Sequence, residues 1–125
     1  MITKNFKASE FDCKDGTKVP YSLTPYMVEL AEALQVIRDE IEQPITVNSA
    51  YRTPRYNKGV GGAKNSQHLL CKAADLKTEL KPRELKKVIE KLIKENKIPQ
   101  GGVGLYKSFV HYDIRGTKAR WNGWF

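Results

Sequence analysis

SQHLLCKAAD, Ser66 to Asp75, and FVHYDIRG, Phe109 to Gly116, are the stretches from which the rest of the chain can be read. The chain has two histidines, His68 and His111, and each stretch holds one of them. With Asp75 they make two imidazoles and a carboxylate, a set that zinc accepts, and a catalytic zinc has three protein ligands with the fourth position open. KAADL, Lys72 to Leu76, is small and partly apolar and reads as a strand carrying Asp75. In FVHYDIR, residues two apart share a face of a strand, so Phe109, His111, Asp113 and Arg115 point one way and Val110, Tyr112 and Ile114 the other. Valine and isoleucine belong in a core, which turns the His111 and Asp113 face toward a cleft.

Working outward, Thr24-Pro25 reads as an N-cap with proline at the first helical position. Met27, Leu30, Leu34, Ile37 and Ile41 follow at steps of three and four, a helix to about Glu42 that Gln43-Pro44 ends. Ile45 to Ser49 reads as a short strand delivering Tyr51 and Arg52, and the Gly- and Lys-rich stretch Asn57 to Asn65 as a loop. Pro82 opens a second helix with Leu85, Val88, Ile89, Leu92 and Ile93 on one face, closing near Ile98-Pro99. Val103 to Tyr106 and Phe109 to Ile114 flank Lys107-Ser108 and read as a hairpin, although that pair is not a favoured turn. The expected fold is α+β, two main helices packed on a small antiparallel sheet, with a zinc cleft on the sheet face.

At 125 residues, 40% hydrophobic and 29% charged, the chain suits one domain, residues 1–125, with one core. No stretch approaches the roughly 20 apolar residues of a membrane span, and MITKNFKASEF lacks the apolar region of a secretory signal. A soluble, monomeric protein is expected. The formal charge of +8 favours polyanions, among them anionic cell-wall polymers. Much of that charge lies in Lys81 to Lys97, in helical register with acids and apolar residues, which reads as a solvated helix face. No nucleic-acid motif is present, so no specific nucleic-acid partner is expected. Cys13 and Cys71 permit one disulfide at most; two reduced thiols is the preferred reading.

SAYRTPRYN (Ser49 to Asn57), VGGAKNSQH (Val60 to His68) and GGVGLYKSFVHYDIRGTKARW (Gly101 to Trp121), in this order, resemble the M15 family of zinc D-Ala-D-Ala carboxypeptidases and peptidoglycan endopeptidases. The resemblance is to the branch with SxxR, SxHxxGxAxD and HxD patterns, from about Asn5 onward. It implies an α+β fold, Zn2+ held by His68, Asp75 and His111, and peptide stems or crosslinks of bacterial peptidoglycan as substrate. Arg52 matches the arginine of SxxR; its guanidinium suits a substrate carboxylate through two parallel hydrogen bonds. Ser66 matches the family's substrate-binding serine. Tyr56 and Asn57 follow Arg52 as further candidate contacts, and Tyr106 and Trp121 as candidate cleft walls.

The chain departs from the pattern at two places. Cys71 stands where the second motif usually has glycine, which matters if the backbone there takes a positive φ, and a thiolate there is also a conceivable fourth metal ligand. Ser108 stands three positions before His111, where some branches carry an acidic general base. Asp113 is the nearest acid for that role; it is weighed equally as a carboxylate that orients a histidine or pairs with Arg115. Three function classes follow: a zinc peptidase acting on the wall, such as a phage lysin held in the cytoplasm until release; a silent wall-binding or phage structural module; and a basic nucleic-acid binder.

Overall fold

The computed structural model describes residues 1–123. Helix α1 (Thr24–Ile41) is followed by strand β1 (Thr46–Ser49), helix α2 (Pro54–Gly59), strand β2 (Ala73–Lys77), helix α3 (Pro82–Lys94) and strands β3 (Gly102–Tyr106), β4 (Val110–Asp113) and β5 (Ala119–Gly123). The strands form one sheet in the order β1-β2-β4-β3-β5, antiparallel except for the parallel pair β3 and β5. This is the expected α+β arrangement.

One sheet face is apolar. Leu76, Val103, Val110 and Tyr112 point to the helices and meet Leu30, Leu34 and Ile37 of α1 and Leu85, Ile89 and Leu92 of α3, all buried. Strand alternation then sends Asp75, His111, Asp113, Gly102 and Gly104 to the opposite face. The register aligns these residues: Ser49 lies opposite Asp75, Asp75 opposite His111, His111 opposite Gly104, and Gly104 opposite Trp121. A bulge between Val47 and Ser49 shifts the pairing of β1 and brings Ser49 into that row.

Several boundaries differ from the sequence reading. Thr24 lies inside α1, not at its cap, because a 3-10 turn over Tyr21–Leu23 runs into the helix and Leu23 takes the cap position. Helix α3 stops at Lys94, short of Ile98, in a Schellman closure. Asn96 takes φ 58°, Lys97 N–H donates to Leu92 and Asn96 N–H to Ile93. Asn57 to Asn65 is not all loop: α2 covers Pro54–Gly59, and the Thr53 hydroxyl accepts from Tyr56 N–H. Strand β5 has no counterpart in the sequence reading. The hairpin of β3 and β4 does form across Lys107-Ser108.

The same closure appears at Cys71. The 3-10 turn Gln67–Leu70 ends with Cys71 at φ 57° and ψ 31°, Cys71 N–H donating to His68 and Lys72 N–H to Gln67. This left-handed residue turns the chain from His68 into β2. Cys71 therefore occupies a conformation that glycine adopts at little steric cost, and that costs an L-residue roughly 1–2 kcal/mol. Its side chain is fully buried, and burial pushes the thiol pKa up to about 12. Cys71 and Cys13 are both free thiols.

Cys71→Ala should keep the strained backbone and lose the buried sulfur, whereas Cys71→Gly loses the sulfur but relieves the strain. Thermal melts should rank Cys71→Gly at or above Cys71→Ala, with the glycine variant within about 1 kcal/mol of the parent. A glycine variant clearly less stable than the alanine variant would show that the left-handed turn carries no strain.

Candidate metal centre and cleft

His68, Asp75 and His111 are brought together, all three buried. His68 Nε2 lies 3.3 Å and His111 Nδ1 3.1 Å from Asp75 Oδ1. Ligand atoms each about 2.0–2.1 Å from a tetrahedral zinc lie roughly 3.3 Å from one another, so this spacing already suits the ion. The remaining ring nitrogens are engaged. His68 Nδ1 is 2.7 Å from the Ala50 carbonyl oxygen, and His111 Nε2 is 2.7 Å from Asp113 Oδ2. As donors there, the two imidazoles leave His68 Nε2 and His111 Nδ1 as lone pairs toward the ion. The donor set and its orientation fit zinc. Cys71, buried in the core, is not part of this cluster.

Local structure sets each ligand. Ser66 caps the 3-10 turn, its hydroxyl accepting from His68 N–H at 3.1 Å, and Arg52 N–H donates to the His68 carbonyl at 3.0 Å. Asp75 and His111 are cross-strand partners on β2 and β4. Trp121 leans across Gly104 toward the His111 ring, with centroids 4.9 Å apart; a Cβ on Gly104 would collide with its indole.

Arg52 reaches the cleft as a fixed group. Its Nε donates to Ser49 Oγ at 3.1 Å, Nη1 to Asn57 Oδ1 at 3.2 Å and Nη2 to Asp75 Oδ2 at 3.2 Å. Asp75 thus offers one oxygen to the metal position and the other to Arg52. Asn57 lies behind Arg52, and its amide also donates to the Ala63 carbonyl at 2.8 Å, so it ties Arg52 to the Val60 to Ala63 loop. Tyr56 packs against the core and does not line the cleft. Ser66, Arg52, Tyr106 and Trp121 do line it, in a space of about 440 Å³.

Asp113 is fully buried. It accepts from Gly102 N–H at 2.8 Å, from Arg115 N–H at 3.2 Å, from Arg115 Nε and Nη2 at 2.8 Å each, and contacts His111 Nε2. Arg115, which the sequence reading places on this face only as a possible partner of Asp113, also lines the cleft.

In the metal-free chain, burial pushes the Asp75 pKa up, but hydrogen bonds to His111 and His68 outweigh it and hold the carboxyl well below its usual range. Burial pulls the His111 pKa down, and hydrogen bonds to Asp113 and Asp75 outweigh it and leave it raised above 6.5. The pair therefore stabilises the metal-free fold from above the ordinary carboxylate range, and the histidine's share fades as pH rises through its raised value. Zinc must displace that proton from His111. Its affinity should accordingly fall as pH is lowered through the His111 titration, by up to about one log unit per pH unit. Competition against a chromophoric chelator should show this with about one zinc per chain. A pH-independent affinity, or full metal retention by both His68→Ala and His111→Ala, would refute the ligand set.

A family model described as Peptidase M15 matches residues 4–113. Zinc D-Ala-D-Ala carboxypeptidase of Streptomyces albus G is 48% identical over 44 residues, 34% of this chain and 17% of that protein. The aligned part is thus less than a fifth of that relative's own length. The family match runs through β2 and β4 and takes in all three candidate ligands, and on that extent the chain belongs to the peptidase M15 family.

Proposed function

We propose that this chain hydrolyses amide bonds in the peptide stems or crosslinks of bacterial peptidoglycan, with zinc held by His68, Asp75 and His111, and that it serves as a wall-degrading lysin. When bound, zinc supplies Lewis-acid polarisation of a carbonyl and a nucleophile at neutral pH. The observation that carries the reading is the placement of Arg52. Its guanidinium grips the outer oxygen of the ligand Asp75 and lines the cleft, which puts carboxylate-binding donors next to the metal position. The printed name of the Streptomyces relative, a carboxypeptidase, is in keeping with a substrate that carries such a carboxylate.

Other residues take supporting roles. The Ser66 hydroxyl accepts from His68 N–H and keeps its own proton for a substrate oxygen. Trp121 shields one face of His111 from water. Asp113 acts through His111: its burial and its bonds to Gly102 and Arg115 favour holding the imidazole in the tautomer with Nδ1 free over taking a proton from water. Asn57 positions Arg52.

One observation favours a second reading, a wall-binding module without turnover. Asp75 is the sole carboxylate among the described residues lining the cleft, and Ser108 is exposed on the turn between β3 and β4. Digestion of purified sacculi with and without chelator separates the two, and mass spectrometry of the fragments identifies the bond cut. Chelator-sensitive release of peptide ends is expected; binding to sacculi with no fragment released would establish the second reading.

Asp113→Asn should weaken zinc binding by about 10- to 100-fold, with turnover returning when zinc is supplied in excess. Turnover that stays about 10²-fold down at full zinc occupancy would instead assign Asp113 the role of base. At saturating zinc, Arg52→Ala should lower kcat/KM by about 10²-fold and Arg52→Lys should restore little of it, because an ammonium lacks the fork. Unaltered kinetics in a destabilised Arg52→Ala protein would reduce Arg52 to a structural ion pair.

A further inference from the structure

We propose that Arg115 is a second carboxylate-binding residue of this cleft, and that the substrate is an acidic peptide with two carboxylates, one for Arg52 and one for Arg115. The proposal rests on the peptidase reading of the site and extends it to a substrate class. Arg115 lines the cleft, and its side chain is 29% exposed. Its Nε and Nη2 form a two-pronged contact with Asp113, at 2.8 Å each, while Nη1 has no partner among the described residues. The guanidinium also lies 5.6 Å from the Trp121 ring centroid. A strut for Asp113 alone has no need to open into the cleft. Arg115 is held by Asp113 and lies against Trp121 in the cleft lining with Nη1 uncommitted, so binding a carboxylate costs little further side-chain ordering.

The balance of charge supports an anionic ligand. Among the described lining residues the cleft has two guanidinium groups and one carboxylate, Asp75, which is committed to the metal position and to Arg52. Behind them Asp113 neutralises Arg115, so a bound zinc dication leaves the whole cluster positive. The two arginines also approach from different sides. Arg52 follows β1 and holds Asp75 on β2, whereas Arg115 follows β4 and folds onto Asp113, which contacts the far nitrogen of His111. Arg115 lies four positions beyond His111, past the end of β4, and folds back onto Asp113, so it would engage a carboxylate to the β4 side of the amide that lies over the metal position.

The test compares two peptides that differ in one group, N-acetyl-L-Ala-γ-D-Glu-L-Lys-D-Ala and the same peptide with the glutamate α-carboxylate amidated. Binding to the zinc-loaded full chain is measured by calorimetry, and cleavage by mass spectrometry. The parent should bind the diacid roughly tenfold or more tightly than the monoamide, the scale of a lost two-pronged charged contact. Arg115→Lys, which keeps the charge beside Asp113, should shrink that ratio below about threefold at unchanged zinc content, while Arg52→Lys weakens both peptides and preserves it. Equal binding of the two peptides by the parent, or no binding of either, overturns the proposal, and so does a ratio that survives in Arg115→Lys. Should that variant not fold, Arg115→Gln and the parent's own ratio decide the question in the same way. Arg115-dependent discrimination together with no chelator-sensitive release of fragments from sacculi would sink the peptidase reading and leave this assignment standing; equal cleavage of both peptides would do the reverse.

Discussion

Two carboxylates buried on one face of a five-stranded sheet are the constraint around which the rest of this molecule is arranged. Asp75 and Asp113 sit on adjacent strands, β2 and β4, and each would cost several kcal/mol to bury unpaired. The solution is a line of alternating groups: Arg52, Asp75, His111, Asp113 and Arg115, each within hydrogen-bond reach of the next. The line makes the desolvation tolerable and also orients the imidazole. His111 is gripped at both ring nitrogens in the metal-free chain, so His68, Asp75 and His111 would hold a zinc ion without first being reoriented.

Such a line needs space above the sheet, and β3 provides it by omission. Of its cleft-facing positions, Gly102, Gly104 and Tyr106, the first two carry no side chain, while Val103 and Leu105 fill the core on the other face. A Cβ on Gly102 would collide with the Asp113 carboxylate and crowd the Arg115 guanidinium, and one on Gly104 would strike the Trp121 indole. Glycine ordinarily weakens a strand interior. Here β3 is paired on both sides, by β4 and β5, which stabilises it against that loss.

Where local chemistry is strong, the sequence is legible. The helical periodicity of Met27 to Ile41 and of Leu85 to Ile93, and the strand alternation of Phe109 to Arg115, lead to α1, α3 and the two faces of β4 because each pattern reports directly which side is buried. The ligand set rests on two histidines and on family-like spacing, and the register brings the three residues within contact. Helix α2 escapes a sequence reading although Thr53-Pro54 carries the cap-and-proline signal used elsewhere; the glycines and lysines after Asn57 hide a helix of six residues. Strand β5 is not legible because it pairs in parallel with β3, a partner fixed only by tertiary structure. Arg115 is in plain view, but a charged residue two positions past a strand end reads as a salt bridge, and only the structure puts it in the lining of the cleft.

The overall charge of +8 and the cleft act at different ranges. On α3 the cations sit opposite the buried face of Leu85, Ile89 and Leu92, and two are matched by acids: Lys91 with Glu40 at 2.8 Å and Lys86 with Glu90 at 3.4 Å. Such exposed pairs contribute little to stability, and salt screens their field beyond about 10 Å. Such a surface field does not distinguish one polyanion from another. The two cleft guanidinium groups differ from these surface cations in that Asp75 and Asp113 hold Arg52 and Arg115 in fixed positions. The carboxylates that the fold must neutralise are thus the same ones that hold the two guanidinium groups in place, so loss of either acid should disturb both the candidate metal position and the arrangement of the cleft.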